Sequence, residues 1–384
     1  MPLSVLVDAR ALTHSGIGRY LREVLDRLLA DERFGRVVML GHLGDVERYA
    51  GGHRRGEKIR PISFPYDWYS ARAQARWATL LARNALNVDV AFFPHYDVPA
   101  LRVPAPYVVT IQDLIHWEVP ELFPAWKRKI AATVLRRAVT RAESVVVSSG
   151  STRADLLKRH PAVAGKVRLI AHGTGSEFTT PGQRSIPEEV QALRPYLLAV
   201  GNRKAHKNLV AAVETLARLR AERPDIRLVI VGRDFGEDAE VLRRAGALGA
   251  LNSVVIRGAT DDAELRDLYA GAECLLFPSL YEGFGLPILE AMGCGTPVVA
   301  SNRSSIPEVC GEAAMLLDPH DHDGMAAAVR SLNGDPQLRG ERVARGRERA
   351  LSLTWDSTAA QTLDLLVRVA GSVATATDSV RTRK

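Results

Sequence analysis

Short apolar runs recur along the chain, each followed by a polar turn and then by a segment with helical spacing. In the first half they are SVLVDA (4–9), VVMLG (37–41), DVAFFP (89–94), YVVTIQ (107–112), SVVVSS (144–149) and KVRLIA (166–171). Amphipathic segments lie between them near 17–30, 67–84, 125–142 and 151–159. A second set follows: YLLAVGN (196–202), RLVIVG (227–232), SVVIRGA (253–259), CLLFPS (274–279), TPVVAS (296–301) and AMLLDP (314–319). Its helices are predicted near 207–222, 237–248, 261–272, 287–293, 321–333 and 337–351, and a last long one over about 355–373 precedes a polar tail. Runs that are apolar without alternation belong to strands buried on both faces. Their alternation with helices implies parallel, doubly wound sheets. The rhythm breaks once, at GTGSEFTTPGQRSIPEEVQ (173–191), where Gly, Pro and Ser gather. The expected division is therefore 1–178, a linker 179–194, a second domain 195–354, and a closing segment 355–384.

Composition narrows this picture only slightly. A length of 384 residues suits two domains, and 46% hydrophobic with 25% charged residues is ordinary for a soluble globular chain. No apolar run reaches the roughly 18 residues that span a bilayer. The start, MPLSVLVDAR, brings Asp8 early and no basic stretch, so it reads as a strand and not as a signal peptide. Three scattered cysteines suggest neither a disulfide frame nor a zinc site, which points to a reducing, cytoplasmic setting. Residues 1–178 hold 26 Lys and Arg against 17 Asp and Glu, a net of +9, whereas the remainder is slightly acidic. That asymmetry favours an anionic surface or acceptor meeting the first domain, set against a merely Arg-rich composition.

The chain is organised around residues 274–299, CLLFPSLYEGFGLPILEAMGCGTPVV. The strand CLLFPS ends in the loop YEGFG, whose glycines let backbone approach a ligand. Pro287 then stands where a helix begins without cost. A strand running into a helix N-terminus offers N–H groups and a partial positive charge suited to phosphate. Two carboxylates frame the turn. Glu282 lies on the loop, and Glu290 lies too far into the helix to cap it, so it is placed to accept from a diol such as a ribose.

Other turns carry cations and glycines. SGIGRY (15–20) opens a helix after the first strand, at the end where doubly wound sheets bind ligands, but it lacks the third Gly of a dinucleotide fingerprint. GNRKAHKNL (201–209) sets Arg203 and Lys207 at a strand-to-helix turn, where fixed cations lower the barrier to departure of a diphosphate. RGAT (257–260) precedes a helix capped by Thr260 or Asp261. The formal D-x-D at 321–323 sits at a helix start, where Asp is an ordinary cap, so no metal site is expected. Two basic segments with aromatics suggest an acceptor or anionic-lipid face: one with Trp68, Tyr69 and Trp77 among Arg72, Arg76 and Arg83, and one with Trp126 beside Lys127, Arg128 and Lys129. They equally suit outer helices of a doubly wound domain.

Glu282 to Glu290, with GFGLP inside and G-x-PVVAS and SSIPEV behind, resembles the E-x7-E motif of glycosyltransferase family 4. The opening DARALTHSGIGRY and the segment TIQDL (110–114) are similar to a mannosyl- and rhamnosyltransferase-like subgroup. The resemblance implies the GT-B fold, two Rossmann-like domains facing each other across a cleft, with the last helix returning to the first domain. It implies a retaining hexosyltransferase that needs no metal or other cofactor and uses a nucleotide-diphosphate sugar. Subgroup resemblance favours GDP-mannose, with dTDP-rhamnose or a UDP-sugar as alternatives. A glycan, a lipid-linked sugar or a small molecule would be the acceptor, and no nucleic acid is expected.

The resemblance places Arg203 and Lys207 on the diphosphate, with Lys204 and His206 as weaker nominees. It places Glu290 on the ribose and Glu282 on the transferred sugar, with Gly283, Phe284, Gly285, Leu286 and Pro287 around the donor and Gly258 in the base pocket. Gly16 and Gly18 approach the donor phosphate or the acceptor, with Arg10 and Arg19 as lesser nominees. The chain departs from the pattern at Gln112, where many relatives have a His near the reacting sugar. Gln cannot take the acceptor's proton, though it can bond a sugar hydroxyl, and Asp113, His116 or His95 would be the substitutes. Two other functions stay open: a sugar-nucleotide epimerase on the same fold, and a non-catalytic nucleotide-sugar-binding subunit. The setting is cytoplasmic, with peripheral contact at the inner face of the membrane as an open alternative.

Overall fold

A computed structural model describes residues 1–82, 86–101, 103, 105–180 and 186–381. Arg83, residues 181–185 of the expected linker and residues 382–384 of the tail lie outside the described residues. The chain divides into two compact units, Met1–His172 with Trp355–Lys384, and Gly173–Thr354.

The first unit is built on a parallel sheet of seven strands: β1 (Leu3–Asp8), β2 (Phe34–Gly41), β3 (Ile59–Ser63), β4 (Val90–Phe93), β5 (Tyr107–Ile111), β6 (Ser144–Val147) and β7 (Val167–Leu169). Their order is β3-β2-β1-β4-β5-β6-β7, all neighbours parallel. Strands β4, β5 and β6 are buried at every position, as expected of strands covered by helices on both faces. One strand escaped the hydrophobic pattern. β3 reads IRPIS and is mostly exposed, and Pro61 is tolerated because β3 is an edge. The helix Leu43–Gly51 was missed for a similar reason, having Val46 as its one buried residue.

The core beneath this sheet gathers Leu6, Phe93, Val109, Leu135 and Val147 around Trp77, whose indole is 1% exposed. Burying each such side chain contributes about 1.5–3 kcal/mol. The helix that carries Trp77 begins at Ala71, so Trp68 and Tyr69 lie on the turn before it. The closing helix runs Trp355–Arg381, beyond the 373 expected from the sequence. It packs on the helix Gly16–Ala30, where Arg27 pairs with Asp356 at 2.6 Å and Arg33 with Asp364 at 2.7 Å.

The second unit repeats the plan with six parallel strands: β8 (Tyr196–Val200), β9 (Arg227–Val231), β10 (Val254–Arg257), β11 (Cys274–Phe277), β12 (Val298–Ser301) and β13 (Met315–Leu317). Their order is β10-β9-β8-β11-β12-β13. Where the chain enters and leaves this unit, Thr174 N donates to Leu353 O at 2.9 Å. In each sheet the order reverses once, between β1 and β4 and between β8 and β11. Beyond the carboxyl ends of the strands at such a reversal, the connecting loops diverge and leave a crevice.

Candidate active site

In the second unit the reversal is flanked by the loop after β8, residues 201–208, and the loop after β11, residues 278–285. Hydrogen bonds stitch the two loops together. Leu280 N donates to His206 O at 2.8 Å. Asn208, in a left-handed conformation with φ of 53°, donates from Nδ2 to Pro278 O at 3.2 Å and to Pro319 O at 3.1 Å. Asn is among the few residues other than Gly that visit that backbone region.

Lys207 Nζ stands 2.6 Å from Glu282 Oε1, and the two side chains are 13% and 12% exposed. The ammonium also lies 5.0 Å from the centroid of Phe277. Burial is the largest influence on Glu282 and opposes its ionisation, but Lys207, His206 and Ser279 together outweigh it and hold the carboxyl below its ordinary range. His206 is also lowered, to about 4, by burial first, which leaves its imidazole neutral. The site therefore contains a fixed cation and a fixed carboxylate beside a neutral imidazole. Ser304 and Ser305 hold the Glu282 loop from a third side. Glu282 N donates to Ser304 Oγ at 2.8 Å, and Ser305 Oγ donates to Glu282 O and to Phe284 O, each at 2.9 Å.

The helix Leu286–Gly293 starts immediately after this loop. Gly285 precedes it at φ of 109°, a conformation that L side chains rarely adopt. Pro287 sits in the first turn, and Gly283, buried Phe284 and Leu286 complete the passage from strand to helix. Glu290 lies on the buried face, 5% exposed, and its Oε2 accepts from Tyr269 Oη at 2.9 Å. A carboxylate has about four lone-pair sites, so acceptance from Tyr269 is compatible with acceptance from hydroxyls.

Arg203 stands apart from this group. It was expected to join Lys207 on a diphosphate, but its side chain is 5% exposed and turned to other partners. Nη2 donates to Asp238 Oδ2 at 2.9 Å, Nη1 to Arg257 O at 3.0 Å, and further bonds reach Asp238 Oδ1 and Gly232 O. Arg203 thus ties the loops after β8 and β9 to the end of β10, with four of its five N–H donors on carbonyls and a carboxylate. The backbones approach closely here: a Cβ on Gly232 would lie 2.0 Å from Gly201 O. Gly258 has nothing within 4 Å of where its Cβ would be, so space does not demand glycine at that turn. Lys204 Nζ lies 4.8 Å from the ring of Phe235. Asp261, not Thr260, caps the following helix, accepting from Glu264 N at 2.8 Å.

In the first unit, Gly16 opens the helix Gly16–Ala30, and a Cβ on Gly18 would meet Ala11 O at 2.4 Å. Arg10 is a buried structural cation, bonded to Asp8 at 2.6 Å and to Asp97 at 3.0 Å. Gln112 donates from Nε2 to Pro94 O at 3.1 Å, and its Oε1 lies 2.9 Å from His172 Nε2. Burial lowers the His172 imidazole to about 3, so His172 is neutral and donates to Gln112. Asp113 accepts from Ile115 N at 3.2 Å, His116 Nδ1 lies 3.5 Å from Tyr96 Oη, and His95 is buried. Arg19 lies on the first helix of this unit. Asp321 caps the helix His322–Gly334 through Gly324 N at 2.8 Å, and Asp323 pairs with Arg218 at 2.5 Å, so the D-x-D serves the helix start.

The structure brings Lys207, Glu282 and the Gly283–Pro287 turn together. Gly16, Gly18 and Gln112 belong to the other unit. Sequence reasoning missed Ser304, Ser305, Tyr269 and the Gly201–Gly232 approach. SSIPEV resembles a family segment, but nothing local marks a serine that bonds a loop distant in sequence.

Comparison with known proteins agrees with this geometry. Residues 14–178 match Glycosyltransferase Family 4, and residues 185–349 match Glycosyl transferases group 1. The chain is 30% identical over 377 residues to O-antigen chain mannosyltransferase B of Escherichia coli, covering 91% of this chain and 95% of that one. It is 32% identical over 236 residues to the MMP alpha-(1->4)-mannosyltransferase of Mycolicibacterium hassiacum, covering 60% of this chain and 55% of that one. Its fold is that of Anabaena HepE solved with UDP-glucose, at a TM-score of 0.77 and 18% identity over 95% of this chain and 100% of that one. A similar likeness joins it to WaaG, a glycosyltransferase involved in lipopolysaccharide biosynthesis, at 0.75 and 17% over 95% of this chain and 99% of that one. Two parallel α/β units, a cation–carboxylate pair at the second reversal, and likeness along nearly the whole chain lead to one assignment: the chain belongs to glycosyltransferase family 4, with mannosyltransferase-like relatives and a GT-B fold.

Proposed function

We propose that this glycosyltransferase moves mannose from GDP-mannose, with retention of configuration, to a hydroxyl of a glycan, lipid-linked or small-molecule acceptor. The observation that carries the reading is the Lys207–Glu282 pair at 2.6 Å, placed at the sheet reversal beside a helix N-terminus. Lys207 and the helix N–H groups take the diphosphate, whose charge grows as the glycosyl bond breaks. Glu282 accepts from a hydroxyl of the transferred sugar and Glu290 from the ribose. The bond from the anomeric carbon to phosphate breaks with its electrons passing to the diphosphate. The incoming hydroxyl bonds to the same face, and its proton goes to the departing phosphate oxygen. This route needs neither a side-chain base nor a metal, which suits the replacement of the expected His by Gln112 and the use of Asp321 as a helix cap. Mannose is favoured by the names of the two sequence relatives.

Gln112 and the Gly16–Gly18 turn lie at carboxyl ends of strands in the first sheet, where we assign them to the acceptor. The same unit carries Trp126 at 59% and Ile130 at 45% exposure on the helix Ala125–Arg141, next to Lys127 and Lys129. That basic apolar face supports peripheral contact with an anionic membrane.

A thermal-shift and calorimetric panel of GDP-, UDP-, dTDP- and ADP-sugars tests the donor, followed by acceptor-dependent release of nucleoside diphosphate. Preference for a UDP-sugar overturns the mannose reading. An inverted anomeric proton in the product overturns retention.

A further inference from the structure

We propose that the reversal in the first sheet holds a pyranose ring of the acceptor against an aromatic platform formed by Trp68 and Tyr69. The inference rests on transfer to a glycan and names the feature that recognises it.

The loops after β1, β3 and β4 bring five rings together. Trp68 stacks on His95 with centroids 4.0 Å apart and planes 5° from parallel. His95 stacks on Tyr96 at 4.3 Å. Tyr69 meets His95 edge-on at 5.9 Å, and His14 meets Trp68 edge-on at 5.1 Å. His95 Nδ1 accepts from Asp97 N at 3.1 Å, which fixes the neutral tautomer, and burial holds the imidazole well below its ordinary value. The stack is therefore an uncharged aromatic surface.

Tyr69 is the anomaly. Its φ is 62°, in the left-handed region that disfavours all residues except glycine and a few short polar ones, and the residue remains 38% exposed. Stability alone would place glycine or asparagine there. A strained residue that displays a large ring is a functional feature held in place by its surroundings. Here the support is visible: Tyr69 N donates to Asp97 Oδ2 at 3.0 Å, and Asp97 is anchored by Arg10, itself bonded to Asp8 at the end of β1.

Two further atoms favour a polyhydroxylated ligand over a plain aromatic one. Asp97 Oδ1 and Trp68 Nε1 are buried without a hydrogen-bond partner among the described residues, leaving one acceptor and one donor unspent beside the rings. A pyranose offers what this surface lacks: polarised C–H groups for an electron-rich ring face, and hydroxyls at its rim.

The test titrates the full-length chain with mannobiose, reading tryptophan emission, and measures GDP-mannose binding on the same samples. A saturable emission change is expected in the unsubstituted chain. It should disappear in Trp68→Phe, and the midpoint should rise at least tenfold in Tyr69→Gly and in Tyr69→Asn. Both Tyr69 replacements accept a left-handed backbone, so their thermal midpoints should not fall and GDP-mannose binding should not change. If the chain gives no response, or if it and the Tyr69 variants respond alike, the platform is refuted. A chain that binds mannobiose through Tyr69 but takes no GDP-mannose would keep the platform and overturn the donor reading. GDP-mannose binding with mannobiose responses indifferent to Tyr69 would do the reverse.

Discussion

Arg203 and Lys207 occupy one loop, yet their charges go to different partners. Arg203 is locked by Asp238 and the carbonyls of Gly232 and Arg257, whereas Lys207 reaches Glu282 at 2.6 Å. The two cations should therefore fail differently when removed. Lys207→Ala should lower turnover of the folded enzyme by about a hundredfold, the cost of losing one donor to developing negative charge, and should also lower the melting temperature, because Glu282 is left buried without its cation. Unaltered turnover would remove Lys207 from the chemistry.

Arg203→Ala leaves Asp238 and two carbonyls without their donors, a loss of about 3 kcal/mol in stability. Chemical denaturation should show that loss, and whatever activity survives should follow the folded fraction. A fully folded variant with abolished turnover would return Arg203 to the diphosphate.

Glu290 is read as the ribose ligand, oriented by Tyr269 Oη at 2.9 Å. Glu290→Gln should weaken nucleoside-diphosphate binding roughly tenfold, by about 1.4 kcal/mol. Tyr269→Phe should weaken it less, since the carboxylate keeps its charge and loses one donor. Calorimetry with GDP distinguishes the two, and equal affinity in all three proteins would discard the assignment.

Acid should destabilise the chain in two windows. Burial keeps His172 neutral down to about 3 and His206 neutral down to about 4, whereas unfolded histidines protonate near about 6.5. Between those values the unfolded chain binds protons that the native one does not, so stability falls as pH drops below about 6.5. Glu282 adds a lower window: its native value is depressed, so the stability it supplies is present above about 4.3 and is lost as pH falls through the native value. Thermal midpoints measured from pH 7 to 4 should decline steadily, and His206→Asn should flatten the decline. A flat profile in the parent protein would show that these histidines are hydrated.

A chelator should leave transfer intact, because charge compensation is assigned to Lys207 and a helix N-terminus. Asp321→Ala should cost about 1 kcal/mol, the value of the cap to Gly324 N, without affecting turnover. Loss of activity with EDTA, restored by a divalent cation, would reverse that assignment.

The order of elements was legible in the chain itself. A strand buried on both faces must be apolar throughout, so strands such as CLLF and SVVV announced themselves as runs. β3 and the helix Leu43–Gly51 stayed hidden because an edge strand with Pro61 and a helix burying Val46 alone need little apolar content. The YEGFGLP turn was equally visible, since a strand, a left-handed glycine and a proline-started helix are local requirements. What the residues near Arg203 do was not local. Four carbonyl and carboxylate oxygens converge on its guanidinium from loops far apart in sequence, and only packing the sheet brings them there. The same holds for Ser304 beneath Glu282 and for Tyr69 over Asp97. Periodicity encodes which face of an element is buried. Which side chain meets which across a sheet reversal depends on strand order, and the physical cost of leaving charges and polar atoms unpaired decides the partners.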